Sequence, residues 1–281
     1  MLKKSDNRGF TFIELILYMA ILSIFMVAVM TLIGSTVASN KKISSRKKLQ
    51  TQATETYDTI SDMLMGATDV RIRGKAYIGT VTSGVLSYSQ KEANFVIPKA
   101  DDEKAADGKL IKTGGVAKRA QYVHGPGGEG GGTDCYDIAD IKPFLESTTP
   151  SSDTETCIDV KYLWIKYASD IDETTKDNIY TYCTLKYDPA SRNIYVYRIS
   201  SDDPLYASSP YAYGEAFNDY SSVDGYILCK NVDKFQLQVN PETGTFAVIL
   251  DFSDPKVGTS YDINGVVSLR NSFVLKSHEW N

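Results

Sequence analysis

Residues 8–22 open an apolar segment and read Arg8-Gly9-Phe10-Thr11-Phe12-Ile13-Glu14-Leu15-Ile16-Leu17-Tyr18-Met19-Ala20-Ile21-Leu22. The segment continues to Ile33, and the 19 residues from Leu15 to Ile33 carry no charge. As a helix they would be about 29 Å long, which is close to the hydrocarbon thickness of a bilayer. They are apolar on every side of the helix, so lipid or other apolar helices must surround them. Glu14 stands at the start of this segment, where a carboxylate is costly without a partner.

Three interpretations of this segment compete. A signal peptide has an apolar core of about 7–15 residues and a small-x-small cleavage site, as at Val37-Ala38-Ser39, but this apolar run is longer. A plain transmembrane anchor explains the length of the run and leaves Glu14 unexplained. In both cases the basic leader before the apolar run favours a cytoplasmic N-terminus.

The third interpretation is a resemblance. The string from Arg8 to Leu15 resembles the prepilin peptidase site of type IV pilins and type II secretion pseudopilins. The resemblance implies cleavage after Gly9, N-methylation of Phe10 as the first mature residue, and a role for Glu14, the fifth mature residue, in filament assembly. The leader has a net charge of +2, so a chain of net charge −5 becomes one near −7. The ammonium that cleavage creates on one subunit can pair with the Glu14 carboxylate of a neighbour.

The residues that follow predict a helix that continues out of the membrane and then meets a β-rich head. Tyr57, Ile60 and Leu64 have helical spacing on one side of residues 35–66. The lysine-rich residues 41–48 are interpreted as a solvated face near the membrane or, alternatively, as a contact with anionic lipid headgroups. The predicted divisions of the chain are a leader (1–9), a transmembrane or filament-core helix (10–34), an amphipathic continuation (35–66) and a head (67–281) with a flexible Gly-rich loop at about 99–134.

Alternating and β-branched patterns predict the strands of the head. Ile158, Val160, Tyr162 and Trp164 are expected to share one face of a strand. Turn residues at 188–192 and 240–244 predict two hairpins. Further strands are predicted at Val70–Ile78, Val85–Ser89, Asn94–Ile97 and Val266–Leu275. The fold class is therefore α+β, a long N-terminal helix packed on an antiparallel sheet, which is the pilin shape.

Four cysteines, Cys135, Cys157, Cys183 and Cys229, follow the apolar segment. An even number on the exported side of a membrane indicates disulfides, and three pairings are open. The hypothesis is Cys135 with Cys157 and Cys183 with Cys229. Buried thiols are the alternative, and a zinc site that uses several of the thiolates is less favoured.

The remaining patterns argue against an enzyme and against nucleic acid. The only histidines, His124 and His278, have no catalytic partner in local sequence, and a net charge of −5 disfavours phosphate binding. The expected cofactor set is empty, apart from calcium as a weak candidate at the acidic residues 170–177. The tyrosine-rich residues 204–226 are either a binding surface or a loop over a sheet edge.

The predicted function is structural: a minor pilin or pseudopilin that primes or caps a filament. The large head makes a J-type pseudopilin or W-type minor pilin the nearest resemblance. The expected partners are prepilin peptidase, other pilins or pseudopilins, and the membrane through residues 10–34. The head would be extracytoplasmic and would later be part of an extracellular or periplasmic filament. The alternative is a membrane-anchored adhesin or binding protein that uses the same export route.

Overall fold

The described part of the chain comprises one long α-helix, a ten-stranded β-sheet and a small two-stranded β-sheet. The structure is a computed structural model, and it describes residues 11–96, 103–105, 109–111, 134–142, 155–175, 177–200, 225–240 and 243–270. The predicted leader with Gly9 and Phe10, most of the Gly-rich and tyrosine-rich segments, and both histidines lie outside these residues.

The predicted long helix is confirmed. Helix α1 spans Phe12–Met65, and its 54 residues make it about 80 Å long. It runs through Gly34 without a break and ends at Gly66, whose backbone N–H donates to the carbonyl oxygen of Asp62 at 3.2 Å. The helix divides into a longer uncovered part and a shorter part packed on the head, because its buried residues begin only at Leu49. They are Leu49, Ala53, Thr56, Ile60, Ser61, Met63 and Leu64.

Twelve strands follow α1 in the described residues. They are β1 (Ala67–Thr82), β2 (Val85–Val96), β3 (Glu103–Lys104), β4 (Leu110–Ile111), β5 (Cys135–Asp137), β6 (Ile158–Ile171), β7 (Asn178–Asp188), β8 (Asn193–Ser200), β9 (Gly225–Cys229), β10 (Val232–Asn240), β11 (Thr245–Asp254) and β12 (Thr259–Ser268). A short 3₁₀ helix, Ile138–Asp140, follows β5.

Ten of these strands form one sheet that divides at β6. The main order is β12-β11-β10-β6-β1-β2-β5, while β7, β8 and β9 extend from β6 as a branch. Strand β10 pairs with the first two residues of β6, and β7 pairs with the part of β6 from Tyr162 onward. All the pairs of this sheet are antiparallel except β2 with β5. The fold is thus α+β and pilin-like, as predicted.

The C-terminal half of α1 covers one face of this sheet and completes the core. Leu49, Ile60 and Leu64 of the helix share a continuous apolar cluster with side chains from both branches of the sheet. The strand contribution is rich in large side chains that are fully buried, among them Phe95, Leu163, Phe235, Phe246 and Phe252. Burial of such side chains is the main force that holds the helix on the sheet.

One predicted face of β6 is wrong. Arg73 of β1 lies opposite Tyr162, but the next residue, Gly74, lies opposite Val160, so Lys161 is an extra residue in β6. This β-bulge reverses the alternation of side chains along the strand. Ile158 and Val160 therefore face the core together with Leu163 and Ile165, whereas Tyr162 and Trp164 form a separate cluster and stack at 5.4 Å between ring centroids.

The other strand predictions are largely confirmed, with changed limits. The two hairpins are β7–β8 and β10–β11. The predicted strands Val85–Ser89 and Asn94–Ile97 are one strand, β2, because its central residues pair with β1 without interruption. The final strand begins at Thr259 rather than Val266. Strand β9 was missed because its first residues belong to the tyrosine-rich segment.

Two contacts fix the position of the head along the axis of α1. The Ser45 hydroxyl donates to Asp254 Oδ2 at 2.8 Å and lies 2.9 Å from Thr259 Oγ1, so it bridges the two ends of the β11–β12 turn. Three turns further along, the Tyr57 ring lies directly over Gly265 of β12. A Cβ at position 265 would overlap that ring. Gly265 therefore allows the helix to approach the strand closely.

Replacing Gly265 with valine is expected to lower the free energy of unfolding by about 1–3 kcal/mol, because the new side chain and the Tyr57 ring cannot occupy the same space. Urea unfolding of the detergent-solubilised chain measures this difference. The matched control is Gly66→Ala, since a Cβ at 66 would have no neighbour closer than 3.7 Å. Equal stability of the Gly265→Val and Gly66→Ala variants would contradict the close approach.

Candidate functional site

The N-terminal part of α1, from Phe12 to Ile33, is apolar and is left uncovered by the head; we call it the apolar rod. No described residue before Leu49 is buried. Between Leu15 and Ile33 every Leu, Ile, Met and aromatic side chain is more than half exposed to solvent. Monomeric soluble proteins rarely expose a continuous apolar surface of this size. The rod must therefore be covered by lipid or by other molecules.

The described residues contain one helix that is long and apolar enough to cross a membrane, and it is α1. Its most apolar 18 residues include none that are buried, so this part of α1 is not the core helix of the head. The length and composition agree with the predicted span of residues 10–34.

Glu14 closes the exposed end of the rod through a capping box with Thr11. The Thr11 side chain accepts from the Glu14 backbone N–H at 3.4 Å. In return Glu14 Oε2 accepts from the Thr11 backbone N–H at 2.9 Å and from the Thr11 hydroxyl at 2.8 Å. The carboxylate also lies in the first turn, where it interacts favourably with the helix dipole. The helix thus supplies Glu14 with a local set of donors.

Thr11 is a residue of the site that the sequence reasoning missed. The signal was present, because a threonine followed three residues later by glutamate, directly before an apolar run, is the pattern of a capping box. Gly9 and Phe10, the residues predicted to flank the cleavage site, lie outside the described residues, so only the Glu14 side of the site has described geometry.

Comparison with known proteins gives one match. Residues 4–30 match a family model described as the prokaryotic N-terminal methylation motif. The match contains Gly9, Phe10, Thr11 and Glu14 and most of the exposed rod. No curated protein and no solved structure matches the chain. The match is confined to residues 4–30, and it agrees with the resemblance of residues 8–15 to a prepilin-type N-terminal segment.

All four cysteines are buried in the structure. The predicted pair Cys183 and Cys229 is wrong for this fold, because β8 lies between the strands β7 and β9 that carry them. Two strand spacings separate their Cα atoms by at least about 9.5 Å, which is more than the roughly 7 Å that a disulfide can bridge. The pair Cys135 and Cys157 stays a prediction.

The candidate metal ligands do not come together among the residues that the structure describes, where no group of three His, Cys, Asp or Glu side chains is placed to hold an ion. In the acidic segment, Asp172 instead caps a turn, and its Oδ1 accepts from the backbone N–H groups of Thr174 and Thr175 at 2.7 and 2.9 Å. These bonds to the ionised form lower the pKa of Asp172.

Cys183 and Cys229 both face the helix, and their burial raises the pKa of each thiol to about 11. The Cys183 sulfur lies 3.5 Å from Met63 Sδ. An unfolded thiol loses its proton near pH 8.5, whereas these folded thiols keep theirs until about pH 11. The stability that they contribute is therefore complete below pH 8.5 and is lost as the pH rises toward 11.

We expect the free energy of unfolding to fall above pH 8.5 by about 1.4 kcal/mol per pH unit for each of the two thiols. Urea unfolding at pH 8 and at pH 10 measures the fall, and Cys183→Ala should make it smaller. Met63→Leu is the control, because it changes the packing beside Cys183 without removing a titrating group. An equal fall in the Cys183→Ala variant and the original chain would show that Cys183 does not titrate in this way.

Proposed function

We propose that this chain is a minor pilin or pseudopilin, cut by prepilin peptidase between Gly9 and Phe10 and N-methylated at Phe10. The mature subunit joins a type IV pilus or a type II secretion-like filament through the apolar rod. One observation carries the proposal: the rod that matches the methylation motif has no buried residue and bears a single acid, at the fifth position after the cut. No catalytic group or cofactor takes part.

Before assembly, residues 10–34 lie in the membrane and the head is extracytoplasmic. Lipid then covers the rod. In the filament, the rods of neighbouring subunits replace the lipid, so every apolar side chain stays out of water. This exchange of one apolar surrounding for another accounts for a helix that is apolar on all sides rather than along one stripe.

Glu14 sets the axial position of one rod against the next. Until cleavage, its carboxylate accepts neutral donors from Thr11. Cleavage adds a charged donor, the ammonium of Phe10, which attracts the carboxylate through its full positive charge as well as through a hydrogen bond. An ammonium from a neighbouring subunit therefore competes well with Thr11 for the carboxylate. In an apolar filament core, each of the two charges is tolerable only when it is paired.

The size of the head supports a minor position. Residues 67–281 follow the helix and contain a ten-stranded sheet, so the head is much larger than the helix that carries it. A subunit in a priming or tip complex has open space around it, so a large head is easily accommodated there. The J-type or W-type subtype remains a prediction.

Replacing Glu14 with alanine is expected to leave cleavage intact and to reduce incorporation into filaments by at least about tenfold, the effect of removing one partner of a buried charge pair. Sheared filaments are purified and the subunit is quantified by immunoblot. Glu55→Ala is the matched control, since Glu55 is the next acid along the helix and is exposed. Normal incorporation of the Glu14→Ala protein would refute the role of the carboxylate.

Mass spectrometry of the protein isolated from its host membrane tests the processing step. The expected N-terminus is Phe10 with one added methyl group. An intact Met1 would show that no processing occurs, and a terminus near Ser39 would identify the apolar segment as a signal peptide.

A further inference from the structure

Five cations surround α1 directly after the apolar rod. Lys41, Lys42, Arg46, Lys47 and Lys48 lie within eight residues, and all five are exposed. We call them the cationic collar. The sequence contains no acid between Glu14 and Glu55, so the helix itself supplies no acidic neighbour to the collar. The head places one carboxylate beside it, that of Asp254, which accepts from the Ser45 hydroxyl and leaves the collar with a net positive charge.

The collar faces all directions around the helix axis. At 3.6 residues per turn its members fall at about 0°, 100°, 140°, 240° and 340°, so no gap between neighbours exceeds about 100°. A protein partner that docks from one side would meet at most two or three of these cations. A lipid layer reaches all five of them, because each stays exposed beside the β11–β12 turn that contacts Ser45.

The collar also lies at the height where such a layer is expected. Lys41 is eight residues beyond Ile33, which corresponds to about 12 Å along the axis. The headgroup region extends for several ångströms beyond the hydrocarbon core, and long lysine and arginine side chains reach back toward it. Ser45 is clamped to Asp254 and Thr259, so the base of the head sits at the same level. Exposed Lys256 in that turn adds a sixth cation there.

The residues that follow the collar carry a large negative charge. The leader carries +2 and residues 10–48 carry +4, which leaves −11 for residues 49–281 out of the total of −5. An anionic membrane surface repels a head of this charge and attracts the collar. The collar lies close to the membrane and the acidic head lies further from it. Attraction of the collar and repulsion of the head therefore both favour an upright subunit with the base of the head at the surface.

We propose that the cationic collar binds the headgroups of anionic phospholipids and fixes the depth and upright orientation of the subunit before assembly. This inference rests on the proposed membrane position of residues 10–34. The ligand class is a lipid phosphate in the membrane plane. An acidic face of a neighbouring subunit is the other source of negative charge, and the experiment separates the two.

The test uses the full mature chain in vesicles made of equal parts of phosphatidylcholine and phosphatidylglycerol. Electron spin resonance with spin-labelled lipids measures which lipid contacts the protein. We expect phosphatidylglycerol to be preferred over phosphatidylcholine by at least about fivefold, the factor for one cation at a charged surface. The preference should disappear when all five collar residues are changed to glutamine, and it should weaken in 1 M salt, where the screening length is about 3 Å.

The matched control removes the same number of cations from exposed or half-exposed positions on the head and should keep the lipid preference. Its changes are Lys75→Gln, Lys161→Gln, Lys230→Gln, Lys234→Gln and Arg270→Gln. A preference that persists in the collar variant overturns the proposal. A wild-type chain that shows no lipid preference also overturns it. If the collar variant then fails to enter filaments, the collar binds a protein partner instead. A chain that does not enter vesicles would instead contradict the membrane span itself.

Discussion

The structure depends on one constraint: the N-terminal part of a helix about 80 Å long presents apolar side chains that its own head does not cover. Leu15 to Ile33 would be unstable in water, so the folded chain is incomplete without lipid or neighbouring rods. The head covers the other part of the helix. Its sheet buries one side of the helix from Leu49 onward and leaves the rest free. Attachment of the head and contact with lipid or neighbouring rods are therefore assigned to different parts of one continuous helix.

Glu14 shows how a single polar group can act within that constraint. In the described structure its carboxylate has donors from its own helix, which makes it tolerable at the start of an apolar segment. Those donors are neutral, so the carboxylate keeps its charge and can still attract a cation. Thr11 thus stabilises the unassembled subunit without removing the group on which the proposed assembly depends.

Sequence patterns predicted the helix, its exposed half and both central hairpins, because each depends on local periodicity or turn chemistry. The position of Glu14 and the methylation motif were equally accessible, since both lie in one short contiguous string. The bulge at Lys161 was not, because an extra residue is visible only against the partner strand. Non-local placement also explains the error over Cys183 and Cys229. Nothing near either cysteine reveals that β8 lies between them.

The unbroken passage of α1 through Gly34 has a mechanical consequence. The head grips the helix from Ser45 to Met65, and no hinge separates that grip from the apolar rod in the described residues. A force that pulls the head away from the membrane is therefore transmitted along the helix axis to the N-terminal end of the rod, without bending the helix. Such a subunit can be extracted from a bilayer as a rigid helix. The free energy of extraction increases with the length of apolar helix that leaves the lipid.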